Sequence, residues 1–313
     1  MQDRKDELKT KWKREQNVLK KGLVLEDSAS WCTSWDNEQK TFHEELHFIG
    51  GVDISFVKED AVNACAALAI VSFPDLELVY SKCKLVQLDT PYIPGFLAFR
   101  EVQFHADLVQ ELKASHPEFF PQVILVDGNG VFHSRGFGLA SHLGVLLGIP
   151  TVGIGKTLYC VDGIEKNQYH TDQIKRCLLK GGDTFDIVGI SGTKYAVALR
   201  TCDNSKNPVY VSIGHGVSLA TAIRLAVSCC KYRIPEPIRQ ADILSREQLR
   251  LSFPAAVGQQ RCEQKLRKAR SQPKPLDSNT GHANMEIDVR SSIVAYQRDC
   301  ETSDDVIDLS NLL

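Results

Sequence analysis

The sequence contains no hydrophobic run long enough to cross a bilayer. The longest candidate, Ala64 to Phe73, ends at Pro74 after ten residues, about half the length that a membrane helix requires. The N-terminus, MQDRKDELKTKWKREQ, mixes acids with lysines and has no apolar core, which does not fit a secretory signal. We therefore expect no membrane partner.

A Cys-x-x-Cys motif and a large excess of one charge are also absent. The ten cysteines include no Cys-x-x-Cys motif, and 313 residues, 43% of them hydrophobic, can bury a core without disulfides. Reduced thiols and a cytoplasmic and nuclear location, including the nucleolus, are expected. The formal net charge is −2, so any surface that binds nucleic acid must be local.

The pattern divides the chain into three regions: a basic N-terminal helical extension at residues 1–30, a regular domain at residues 31–253, and a C-terminal tail at residues 254–313. The lysines of the extension fit either salt-sensitive phosphate contacts or a plain solvated helix. The tail has a basic block, then an acidic one, without hydrophobic periodicity, which predicts disorder. Its last segment, Asp304 to Leu309, resembles a SUMO-interacting strand.

The central region alternates strand and helix patterns. FIGGVDISFV, ACAALAIVSF and LELVYSKCKLVQL predict three antiparallel strands in a meander. A helix over Phe99 to Ala114, the strand QVILVDGNG, a helix over Leu139 to Leu147 and the strand IPTVGIG follow. YAVALR and VYVSIG predict a strand pair, and SLATAIRLAVSCC and PEPIRQADILSREQLR predict two helices. The expected fold class is α/β, a mixed sheet flanked by helices.

Four acids stand at strand ends and helix starts, where such folds collect functional groups. Asp53 lies in an otherwise apolar strand, and Asp127 ends the apolar strand ILVD. Each has a simpler interpretation, as a solvent-facing strand acid or an Asp-Gly turn, and Glu101 and Asp242 fit solvated helix faces. Together, however, three or four carboxylates would form a hard oxygen site suited to Mg²⁺ or Mn²⁺, which can activate water against a phosphodiester.

Five motifs resemble the endonuclease V family over about residues 45–250: GGVDISF, PYIPGFLAFRE, LVDGNGVFHSRGFGLASHLGV, PTVGIGK and PEPIRQAD. The resemblance implies a ribonuclease H-like fold and a Mg²⁺-dependent endonuclease, with Mn²⁺ as a substitute. The enzyme would recognise inosine and cut the second phosphodiester bond on its 3′ side, leaving a 3′-hydroxyl and a 5′-phosphate. The extensions and the cysteine-rich helix resemble the animal branch, which prefers single-stranded RNA over DNA.

Residue roles follow from the same resemblance. The implied metal-binding carboxylates are Asp53, Glu101 and Asp127, and Asp242 would complete or support the site. Lys156 would contact phosphate near the reaction centre. His215 would position the nucleophile or the scissile phosphate, although a histidine that caps a strand end is the alternative.

The segment PYIPG resembles the wedge of the family. An aromatic ring on a proline-stiffened turn can fill the stack that an extruded base leaves, but a hydrophobic turn packed on the sheet fits the same residues. The extruded base would enter a pocket lined by glycine-rich backbone, where fixed donors and acceptors can distinguish hypoxanthine from adenine. The predicted substrate-binding residues are Pro91, Tyr92, Ile93, Pro94, Gly95, Gly128, His133, Arg135, Gly136 and Gly138.

Other classes fit the same sequence less well. GIGKT resembles the end of a phosphate-binding P-loop, but Pro150 stands where that loop needs a glycine. A module that binds inosine-containing RNA without cutting it, and a ribonuclease H-like nuclease for branched or hybrid substrates, both stay open. We expect the protein to be a monomer.

Overall fold

A computed structural model gives the fold of the protein. It describes residues 2–254 apart from residues 40, 43, 44, 58, 59, 61 and 92, and these residues belong to one compact unit. The predicted tail with its SUMO-type segment, and Tyr92 of the predicted wedge, lie outside the described residues, and the boundaries at residues 30 and 253 stay predictions. None of the described helices is long and apolar enough to span a bilayer.

Eight strands form one mixed sheet, as the alternating patterns predict. Its strands are β3 (Phe48–Phe56), β4 (Asn63–Ser72), β5 (Leu78–Gln87), β6 (Val123–Asp127), β7 (Thr151–Gly155), β8 (Thr184–Val188), β9 (Lys194–Leu199) and β10 (Val209–His215), preceded by a small hairpin of β1 (Trp35–Asp36) and β2 (Thr41–Phe42). The spatial order is β5-β4-β3-β6-β7-β10-β9-β8. The central strands β3, β6 and β7 are parallel, and every other neighbouring pair is antiparallel.

Helices cover both faces of this sheet. They are α1 (Gln2–Leu19), α2 (Ala98–Ser115), α3 (Leu139–Leu147), α4 (Gln168–Cys177), α5 (Leu219–Ser228) and α6 (Glu236–Ser252). Val52 and Val126 point to one face and pack with α2 and α3. Leu125 and Ile154 point to the other and pack with α5 and α6. This alternation follows from the pleat of the strands, which sends successive side chains to opposite faces.

Helix α4 and the strands β1, β2 and β8 were not predicted, and β1 and β2 are only two residues long. Helix α4 is short and mostly polar, with Ile174 its main aliphatic contact to the core, so few apolar residues mark it in the sequence. It begins where the side chain of Asn167 accepts a hydrogen bond from the His170 amide, 3.0 Å long. Strand β8 is a five-residue edge strand with only Ile187 fully buried, so its pattern is too short and too polar to stand out.

Candidate active site

Three predicted site residues meet at one end of the parallel strands. Strand β3 runs beside β6 with Val52 opposite Val126, so Asp53 and Asp127 follow at the same level and on the same face. Lys156 comes directly after β7. Its Nζ lies 2.5 Å from Asp127 Oδ2 and 3.8 Å from Asp53 Oδ1, so the ammonium group forms ion pairs with both carboxylates.

Two helices bring the remaining acids to this end of the sheet. Glu101 lies in the first turn of α2 and is buried, 3% exposed. Asp242 lies on α6, close enough for its charge to act on both Asp53 and Lys156. Because α2 and α6 cover opposite faces, the four carboxylates approach the strand ends from both sides of the sheet.

The approach of α6 depends on a glycine. A Cβ atom on Gly51 would overlap the backbone of Pro237 and Ile238, so only a residue without a side chain lets the helix lie directly on β3. Farther along, Ser55 Oγ and Ser245 Oγ are 2.8 Å apart. These contacts fix the distance between the strand that carries Asp53 and the helix that carries Asp242.

The electrostatics of the site favour a cation. Burial, then a hydrogen bond with Asp127 and the charge of Asp127, raise the pKa of Asp53 far above its usual range. Burial also raises the pKa of Glu101 to about 7, and the charge of Asp127 adds to the shift. Burial favours neutral Lys156, but Asp127, Asp53 and Asp242 together outweigh this effect and raise the pKa of Lys156. The site therefore holds more carboxylates than one ammonium group can neutralise.

These residues suit a divalent ion in their chemistry. They offer carboxylate oxygens, the donors that Mg²⁺ and Mn²⁺ prefer over the nitrogen and sulfur donors of zinc sites. Within the described part of the chain, no three acidic, histidine or cysteine side chains are already grouped as a metal cluster. Asp127 instead contacts the ammonium of Lys156. Asp53, Asp127 and Glu101 are the residues that would hold the ion.

The structure does not bring His215 to this end of the sheet. His215 pairs with Thr151 at the start of β7, whereas Tyr210 pairs with Gly155 beside Lys156. Thr151 and Gly155 are four residue steps apart, which is about 13 Å of strand. The Nδ1 atom of His215 accepts a hydrogen bond of 3.2 Å from the Val24 amide, and burial lowers its pKa. In this structure His215 caps a strand end, the alternative that the sequence left open.

The loop predicted as a wedge lies beside the predicted base-binding loop. Ile93 and Phe96 are buried against α1, and Gly95 has φ of +79°, a conformation that glycine adopts without strain. Arg135 donates a hydrogen bond through Nη2 to the Gly95 carbonyl, which joins the two loops. The guanidinium of Arg135 thus makes a contact within the protein, which the sequence did not indicate.

His133 and the glycines of the second loop form a tightly packed backbone. Burial, then the charge of Arg135, lower the pKa of His133 to about 4, so its ring is neutral, and it stacks on Tyr159 with centroids 5.6 Å apart. A Cβ atom on Gly138 would overlap the Asn129 carbonyl. Gly128 and Gly136 have positive φ, and Gly138 leaves no room for a side chain. That this backbone reads a base edge stays a prediction.

Sequence reasoning missed three contributors. Ser55 follows Asp53 by two residues and Ser245 follows Asp242 by three, spacings that place each serine on the face of its acid and could have revealed both. Arg233 had no such signal. Its Nη2 donates to the carbonyls of Lys156, at 2.7 Å, and Pro208, at 3.0 Å, so it fixes the backbone that carries the site ammonium.

The strand order, the three central parallel strands and the acids at their ends define a nuclease of the ribonuclease H-like fold. A family model described as endonuclease V matches residues 33–243. Endonuclease V of Homo sapiens is 51% identical over 242 residues, covering 77% of this chain and 83% of the relative. The chain therefore belongs to the endonuclease V family, whose members are hydrolases of phosphodiester bonds that generally use a divalent metal ion.

Solved structures support the assignment. The catalytic domain of human endonuclease V superposes with a TM-score of 0.76 at 50% identity, covering 79% of this chain and 98% of that chain. A Ciona intestinalis endonuclease V, in complex with a 23mer DNA containing an inosine followed by a ribo-adenosine, superposes with a TM-score of 0.71 at 35% identity, covering 78% and 98%. The observed sheet is thus the fold of a nucleic-acid-cutting enzyme.

Proposed function

We propose that this protein is a Mg²⁺-dependent endonuclease that recognises inosine in single-stranded RNA, and in DNA less well. It cuts the second phosphodiester bond 3′ to inosine and leaves a 3′-hydroxyl and a 5′-phosphate. The observation that carries the proposal is the convergence of Asp53, Asp127 and Asp242 around the Lys156 ammonium. The buried Glu101 is close enough to Asp127 to feel its charge. The inosine complex of the Ciona relative supports the choice of base.

Each part of the site has a role in this reaction. Asp53, Asp127 and Glu101 hold the divalent ion, which when bound activates water and stabilises the leaving oxygen. Lys156 binds a phosphate oxygen as a point charge, because its raised pKa keeps it protonated. The backbone of the two loops discriminates the base: hypoxanthine offers an N1–H donor and an O6 acceptor, where adenine offers the reverse, so an unmatched group would lose its hydrogen bond.

Replacing Asp127 by alanine tests the proposal. With Mg²⁺ and a 5′-labelled RNA that carries one inosine, the wild type should give one labelled product, whose length locates the cut. The other fragment should carry a 5′-phosphate that phosphatase removes. Asp127→Ala should lose at least about a thousandfold in rate while still binding the strand, since it removes a transition-state interaction. Asp186→Ala, an exposed acid on the far edge strand β8, is the control.

The outcomes separate the alternatives. Persistent cleavage by Asp127→Ala would refute the assigned site. A wild type that binds the inosine strand and never cuts it would favour a binding module, and cleavage of inosine-free RNA–DNA hybrids would favour the other nuclease class. Cleavage rates measured side by side on RNA and DNA strands of the same sequence decide the substrate preference, because only RNA offers a 2′-hydroxyl to contact.

A further inference from the structure

The inner face of α1 covers the loop that the proposed function assigns to the wedge. Trp12 is 7% exposed and belongs to one cluster with Ile93 and Phe96. Its ring stacks on Phe99 with centroids 5.3 Å apart and planes 12° apart. The sequence had indicated only a basic, solvated helix or a source of phosphate contacts. The structure shows instead that one face of α1 is an interior surface.

One turn farther along α1, Gln16 contacts the base-binding loop. Its side chain is buried, 2% exposed. The amide Nε2 donates a 2.7 Å hydrogen bond to the Phe137 carbonyl, and Oε1 accepts a hydrogen bond from Arg135 Nε. One turn beyond, Lys20 Nζ donates a 2.7 Å hydrogen bond to the Arg135 carbonyl. Positions 12 and 16 lie on one stripe of α1, and Lys20, in the 3-10 turn directly after the helix, contacts the same loop.

Arg135 continues this chain of contacts to the wedge loop. Its Nη2 donates to the Gly95 carbonyl, and its guanidinium lies 3.9 Å from the centroid of the Phe96 ring. A guanidinium can point its planar donors in several directions, and here Gln16 is the side chain that accepts from Nε. The path Gln16–Arg135–Gly95 therefore connects α1 with both loops.

We propose that Gln16 is a positioning residue for base recognition: through Arg135 it holds the wedge loop and the base-binding loop at a fixed separation before nucleic acid binds. This proposal rests on the proposed function, because it names what sets the specificity of the same site. Because the gap between the loops is preformed, the loops lose no conformational entropy when the base enters. Without Gln16, binding an extruded base would first have to order Arg135 and both loops.

Gln16→Leu tests the proposal, because leucine keeps much of the volume and removes both hydrogen bonds. Single-turnover cleavage of the inosine strand, titrated with enzyme, gives the half-saturating concentration and the saturated rate. Inhibition by the same strand without inosine gives its inhibition constant, which reports phosphate contacts alone. Asn17→Ala, the adjacent exposed position, is the matched control, and circular dichroism at the assay temperature checks the fold.

For Gln16→Leu we expect the half-saturating concentration to rise about tenfold, as for the loss of one hydrogen bond to a charged group. The saturated rate and the inhibition constant of the inosine-free strand should stay within about twofold, and Asn17→Ala should match the wild type. Gln16→Asn, which stays polar but is one methylene shorter, should show the same split if Gln16→Leu fails to fold.

An unchanged half-saturating concentration would overturn the proposal, and so would an equal rise in the inhibition constant, which would assign α1 to general phosphate binding. If the wild type itself fails to prefer the inosine strand, the proposed function fails instead. The two failures are therefore distinguishable in one set of titrations.

Discussion

Replacing Glu101 by glutamine removes a buried carboxylate and keeps the shape of the side chain. Glu101 is 3% exposed at the start of α2, and burial raises its pKa from the usual 4.5 to about 7. The folded protein therefore holds the proton of Glu101 more tightly than the unfolded chain does. We expect Glu101→Gln to stop cleavage and, at neutral to alkaline pH without divalent ions, to stabilise the fold.

The sign and size follow from proton linkage. The stabilising contribution of protonated Glu101 is fully present below about pH 4.5 and is lost as the pH rises through about 7. At about 1.4 kcal/mol per unit, the loss is about 3 kcal/mol. Because Glu101→Gln has no such group, its free energy of unfolding should exceed that of the wild type by up to this amount at about pH 8, and the advantage should shrink toward about pH 5.

Urea unfolding of both proteins in chelator, at several pH values between these limits, measures the difference directly. Glu118→Gln, an exposed acid after α2, should follow the wild type at every pH. Added Mg²⁺ should stabilise the wild type more than Glu101→Gln, because the ion binds only the carboxylate form. If the free energies of unfolding of the wild type and Glu101→Gln differ by the same amount at every pH, the reasoning is refuted.

Two further substitutions test the geometry of the site. Gly51→Ala should destabilise the fold by about 1–3 kcal/mol and lower cleavage, because its Cβ would push α6 off β3. The control Gly50→Ala meets only side chains of Ile124 and Pro121, at 3.2 Å or more, and should destabilise the fold less. Urea unfolding of both variants measures the difference. Lys156→Met should lower the stability in chelator and make the fold depend more strongly on Mg²⁺, because Asp53 and Asp127 then face each other without a cation. An identical Mg²⁺ response in thermal melts of Lys156→Met and the wild type would contradict the second expectation.

The sheet was predictable because its strands are long, apolar and regular. The meander of β3, β4 and β5 and the strand-helix alternation that follows rest on runs such as ACAALAIVSF, in which almost every side chain is buried. Helix α4 and strand β8 escaped because both are short and mostly polar, with Ile174 and Ile187 as the aliphatic side chains that pack in a separate cluster around Phe132. Tertiary packing, which no local pattern encodes, decides such elements.

The site was predictable where strands determine it. The register of β3 and β6 places Asp53 and Asp127 side by side at the ends of their strands, and the register of β7 with β6 places Lys156 next to them. His215 shows the limit, because its glycine-flanked motif resembled a site histidine but its strand runs antiparallel to β7 and ends away from the acids. The inner face of α1 shows another limit: Gln16 is a polar residue in a charged helix, and only the fold shows that it is buried.

The acids that enclose Lys156 come from nearly the whole length of the domain. Asp53 lies on the first strand of the large sheet, and Asp242 lies on the last helix that the structure describes. A growing polypeptide therefore cannot bring Asp242 to the site until that final helix has left the ribosome and packed on the sheet. Any shorter product of the same message that ends before residue 236 would lack Asp242 and the helix that packs over Gly51.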